Sequence, residues 1–104
     1  AALLPPFAHP ALLRAQAATA EKTTAFLRAG LALAEPIADG VELLGPAPAP
    51  MERRAGRYRA QLLLQAEQRQ TLHRFLDLWM PRLHAQNSNR NARWSLDIDP
   101  MELY

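Results

Sequence analysis

Between Arg57 and Gln65 the side chains alternate. Tyr58, Ala60, Leu62 and Leu64 point one way; Arg57, Arg59, Gln61, Leu63 and Gln65 point the other. This period of two belongs to a strand with one buried face. Such a strand needs partners along its edges and a cover over its apolar side. Both can be found in the remaining sequence. Leu13, Ala15 and Ala17 alternate with Arg14 and Gln16, which predicts a strand over Ala11–Ala17. Trp94, Leu96 and Ile98 alternate with Arg93, Ser95, Asp97 and Asp99, which predicts another, ended by Pro100. Val41–Leu44 reads as a short fourth strand. The run Gly45-Pro46-Ala47-Pro48-Ala49-Pro50 cannot donate a regular ladder, so it is expected to leave the sheet. It should lead into a loop carrying Glu52, Arg53, Arg54 and Gly56.

The cover comes from two amphipathic helices. Thr19 is an N-cap candidate, and Glu21 adds negative charge in the first turn. Phe26, Leu27, Leu31, Ala34 and Ile37 follow at helical spacing, and Pro36 marks an end or a kink before the Asp39-Gly40 turn. Residues 68–85 carry the second stripe, Leu72, Phe75, Leu76, Trp79, Met80 and Leu83, with Pro81 expected to kink or shorten that helix. Asn87–Asn91 reads as a polar loop.

The resulting order is β-α-β-β-α-β. It predicts an α+β fold of the split, ferredoxin-like kind, a four-stranded sheet with both helices on one face. The 104 residues amount to one domain, with a Pro-rich lead-in over 1–10 and a core over 11–100. Apolar residues at 49% and charged residues at 21% are those of a globular chain. A net charge of +2 does not by itself make a nucleic-acid binder, so where the charges cluster matters more. With no cysteine there is neither a disulfide framework nor a thiolate metal site. The apolar stretches fall well short of the ~20 residues of a membrane-spanning helix. The start AALLPPFAHPALL has no basic region and no initiator Met, and reads as the beginning of a fragment of a larger protein rather than a signal peptide.

Three segments carry a family resemblance: LLPPFAHPALLRA at the start, GPAPAPMERRAGRYRAQLLLQ in the middle and RWSLDIDP at the end. Together with the helices between them, the chain resembles the C-terminal domain of the PriA family of bacterial replication-restart helicases over nearly its whole length. The resemblance implies a fold like that of ribosomal protein S10. It also implies a parent that is an ATP-driven, zinc-containing helicase of the bacterial cytoplasm and nucleoid, acting at stalled replication forks. The implied partners are single-stranded or forked DNA, the other domains of the parent, primosome proteins and the single-stranded-DNA-binding protein SSB. No Gly-rich segment here ends in Gly-Lys-Ser/Thr and no Cys-rich region is present. The domain is therefore expected to be non-catalytic and to hold no cofactor or metal.

The candidate DNA-binding residues are Arg53, Arg54, Arg57, Tyr58, Arg59, Arg14 and Arg93. Four of these arginines fall within the seven residues from Arg53 to Arg59. Arg57 and Arg59 share a strand face. If the strand containing them is central, Arg14 and Gln16 lie beside them, and Arg93 joins from the edge. A guanidinium is a fixed fork of donors suited to phosphate oxygens. Asp97, Asp99 and Glu42 share the nominal face and can neutralise part of this charge in surface pairs. The loop arginines are favoured over the strand arginines. Tyr58 and Trp94 fall on the core side, which argues against the base-stacking sheet of an RNA-recognition domain and for contact led by phosphate. At the start of the second helix, Arg69 and His73 lie one turn apart on one face. The resemblance implies that this region helps bind the acidic C-terminal tail of SSB, so the alternative function is a protein-interaction module. An enzyme reading, in which the arginines cradle a phosphoryl substrate as in small ferredoxin-like phosphatases, has no nucleophile-positioning motif behind it. No Ser/His/Asp set or metal-ligand spacing is evident.

Overall fold

The computed structural model describes residues 9–86 and 92–98. In chain order the elements are β1 (His9–Ala17), α1 (Ala20–Ala34), a 3-10 turn (Glu35–Ile37), β2 (Val41–Arg54), β3 (Arg57–Ala66), α2 (Arg69–Gln86) and β4 (Arg93–Ile98). Among the described residues the strands form one four-stranded sheet in the order β2-β3-β1-β4, and every neighbouring pair is antiparallel. No helix is long and apolar enough to cross a membrane among the described residues. The lead-in up to residue 8, the Asn87–Asn91 loop and Asp99 lie outside the described residues.

The helices start and pack as their sequences dictate. Thr19, in an extended conformation, accepts a hydrogen bond from the Lys22 amide at 3.1 Å through its hydroxyl and caps α1. Buried Thr23, Phe26, Leu27, Gly30 and Ala34 make one stripe of α1, and Leu72, Phe75, Leu76, Trp79 and Leu83 make one stripe of α2. Both stripes close on the same sheet face, made by Ala11, Leu13, Ala15 and Ala17 of β1 and Ala60, Leu62 and Leu64 of β3. Trp79 is fully buried, and its indole N–H donates to the Gly30 carbonyl at 2.9 Å. Gly30 permits this close approach, since a Cβ there would lie 3.1 Å from a Leu83 methyl. Pro81 does not shorten α2, which runs on to Gln86; the 3-10 turn at Pro36 does end α1.

The proline run departs from expectation. It stays in the sheet, because β2 continues through it to Arg54 as the edge strand. Ala47 still pairs with Gln61 and Pro48 with Ala60. The register shifts between Leu44 and Ala47 and again between Pro48 and Arg53. An edge strand tolerates proline because its outer amides have no ladder partner to lose, and irregular pairing absorbs the remainder. The expected loop is instead a hairpin. Ala55 (φ 53°) and Gly56 (φ 76°) form its two-residue turn, both in the left-handed region that suits the twist of the flanking strands.

Candidate nucleic-acid interface

The face of the sheet turned away from the helices is organised in rows across the strands. Gln16 of β1 stands between Arg59 of β3 and Arg93 of β4, since it is the register partner of both. In the next row Arg14 stands between Gln61 and Ser95. Directly opposed residues share a sheet face, so these side chains project from one surface. Arg14, Gln16, Arg59, Arg93 and Ser95 line a shallow hollow of ≈ 200 Å³. Trp94 lies at the hollow's margin, with its ring packed on the helix side against Phe26 at 6.0 Å and His84 at 4.9 Å. Arg14, Arg59 and Arg93 are thus brought together from three strands, as expected from sequence.

Arg57 lies one step further along β3. Its Nη2 donates to the Gln16 carbonyl at 3.5 Å, while its buried Nε has no partner among the described residues. Arg57 therefore leans over the end of β1 and ties it to β3. Arg14 forms an ion pair with Asp97 of β4, a diagonal neighbour on the same face. Both side chains are partly exposed, so the pair contributes under ~1 kcal/mol to stability. Glu42, at the far end of the face, accepts from the Gln65 amide at 2.6 Å.

The structure splits the arginine cluster that looks continuous in sequence. Arg53 pairs across the hairpin with Tyr58, and Arg54 with Arg57. Tyr58 belongs to the helix side of β3, where its carbonyl accepts from the Thr23 hydroxyl at 2.8 Å. Arg53 therefore lies on the α1 side, with its guanidinium carbon 5.4 Å from the centroid of the Tyr58 ring. The expected loop is corrected to a hairpin, and Arg53 falls on the opposite face of it from Arg57 and Arg59. The side chain of Arg54 lies outside the described residues. The signal for the split was the Ala55-Gly56 pair, a two-residue turn that fixes which side chains oppose.

The second face also holds a feature that alternation did not reveal. Leu12 and Gln65 sit on it, yet they are only 1% and 0% exposed. The face expected to be open is closed at that end. Arg69 and His73 are both exposed at the start of α2, as expected, and lie on the other side of the sheet from the arginine rows.

The fold and its rows define a small α+β domain that presents arginines on one sheet face. A family model described as the primosomal protein N C-terminal domain matches residues 1–101, and the chain belongs to that family. The chain is 39% identical to the replication restart protein PriA of Haemophilus influenzae over 108 residues, covering 96% of this chain and 14% of that protein. It is 30% identical to the replication restart protein PriA of Rickettsia felis, covering 97% of this chain and 15% of that protein. The chain thus spans about one-seventh of the length of these curated relatives. Among solved structures, the de novo designed protein Foldit4 superposes with a TM-score of 0.61 at 12% identity, over 90% of this chain and 98% of that one, a likeness of fold alone.

Proposed function

We propose that this chain is a non-catalytic domain that grips the phosphate backbone of single-stranded or forked DNA through the second face of its sheet. The observation that carries this reading is the row Arg59–Gln16–Arg93, with Arg14 in the adjoining row and Arg57 beyond it. Guanidinium groups held on adjacent strands of one sheet can engage phosphate oxygens at little ordering cost. Among the described residues the strand registers place no aromatic ring on this face, which favours phosphate contact over base stacking. Family membership supports a setting in a replication-restart protein, and we read the parent as a cytoplasmic bacterial helicase whose ATP and zinc sites lie in other domains. The sheet order, with two helices on one face, supports the split, ferredoxin-like or S10-like arrangement.

Fluorescence anisotropy of the 104-residue chain with single-stranded and forked DNA, taken across a salt series, tests this reading. Steep salt dependence that falls on Arg59→Ala/Arg93→Ala substitution supports it. Absence of binding by the folded chain at low salt overturns it.

A second reading, protein docking, is favoured by a different observation. Arg69 and His73 are exposed one turn apart on α2, and can meet the acidic tail of SSB or another domain of the parent. Unchanged tail binding by an Arg69→Ala variant of the complete protein would remove it.

A further inference from the structure

Within the hollow, Arg14 forms an ion pair with Asp97, a carboxylate on the same sheet face. It sits one row from Gln16, Arg59 and Arg93, two residues along β1. Alternate residues of a strand are about 6.6–6.8 Å apart. Successive phosphates along an extended nucleic-acid strand are separated by a distance of the same order. The two rows are therefore spaced to receive neighbouring phosphates of one strand. The first row offers Arg59 and Arg93 around Gln16; the second offers Arg14, with Ser95 beside it. The Asp97 carboxylate already occupies the second place. Like a phosphate, it brings an anionic oxygen to the Arg14 guanidinium.

We propose that Asp97 is a built-in competitor for the second of two successive phosphate positions on this face, and so sets how many phosphates the domain engages. This rests on the DNA-backbone reading above and names the residue that limits it. A backbone phosphate arriving at Arg14 must displace Asp97, leaving that carboxylate close to the incoming negative charge. Removing the charge frees Arg14 without adding any new group. Because the ion pair is partly exposed, the exchange is worth little in stability but registers fully in the number of phosphates neutralised.

The test is a double-mutant cycle read by anisotropy with a fluorescent oligo-dT strand across a salt series. The 104-residue chain is compared with Asp97→Asn, Arg14→Ala and the double variant, each checked for folding by circular dichroism. Glu42→Gln serves as a charge control, raising the net charge equally at the far end of the same face. The expected result for Asp97→Asn is roughly two- to fivefold tighter binding. Its log–log salt slope should be steeper by ~0.7, one added phosphate on a single strand. The gain should vanish in the Arg14→Ala background and be absent in Glu42→Gln. If the parent chain binds and loses slope on Arg59→Ala/Arg93→Ala, while Asp97→Asn is indistinguishable from it, the competitor role is wrong and the backbone reading stands. A gain that persists without Arg14, or is matched by Glu42→Gln, also overturns the role, since it is then only net charge. If neither the parent chain nor Asp97→Asn binds at low salt, both readings fall together.

Discussion

Two halves of one sheet face are made by the same strands and have opposite character. At one half the cross-strand rows are Arg59–Gln16–Arg93 and Gln61–Arg14–Ser95. A step further along, the row is Leu44–Leu63–Leu12–Asp97, followed by Glu42 and Gln65. Arg93 is exposed, whereas Leu12 and Gln65 are buried. Leu44, at the edge of the apolar row, is still 39% exposed. The alternation that places these residues on one face is the same in both halves. A strand period therefore assigns a residue to a face, but not to solvent. The arginine half keeps its polar side chains partly open to solvent, whereas the apolar half is enclosed and contributes to holding the fold.

The largest effect should come from the apolar half. Leu12→Ala should cost roughly 2–5 kcal/mol in urea denaturation, as much as Leu13→Ala on the helix side, because both side chains are fully enclosed. A cost below about 1 kcal/mol would mean that the second face is open throughout, and the contrast would fail. In the arginine half the ranking reverses. Arg59→Ala/Arg93→Ala should cost under ~1.5 kcal/mol, less than either leucine truncation. It should nevertheless reduce the salt slope for single-stranded DNA by ~1.4, two phosphates' worth.

Arg53→Ala sharpens the boundary from the other side of the sheet. It removes the contact over Tyr58 and should cost ~0.5–1 kcal/mol, with the DNA salt slope unchanged. The smallest effect is expected for Gln65→Leu. This removes the bond to Glu42 but also a buried Oε1 that has no partner among the described residues. The two changes offset, leaving stability within ~0.5 kcal/mol of the parent chain by thermal unfolding.

Much of this could be read from the sequence. Three of the four strands, both helix stripes and the Thr19 cap follow from local periodicity and capping chemistry, which tertiary packing here reinforces. The fourth, β2, runs ten residues beyond the Val41–Leu44 that the sequence predicts, to Arg54. Prolines Pro46 and Pro48 argue against a central strand, but only the sheet order shows that this strand is an edge, where they are tolerated. The convergence of Arg14, Arg59 and Arg93 was legible because it depends only on face and strand order. The separation of Arg53 from Arg57 is not legible in the sequence, because the proline run predicts a loop carrying Glu52, Arg53, Arg54 and Gly56. A loop has no face; a hairpin with a two-residue turn does. The burial of Leu12 and Gln65 has no local signature, since their spacing matches that of their half-buried neighbours Arg14 and Gln61.

The central claim, that the arginine half of the second face receives the DNA backbone, is tested most directly by titrating the isotopically labelled chain with a single-stranded oligonucleotide and following backbone amide shifts. Shifts should concentrate at Arg14, Gln16, Arg59, Arg93 and Ser95 and weaken as salt is raised. Shifts confined to the start of α2 around Arg69 and His73, with the sheet rows unmoved, would contradict it.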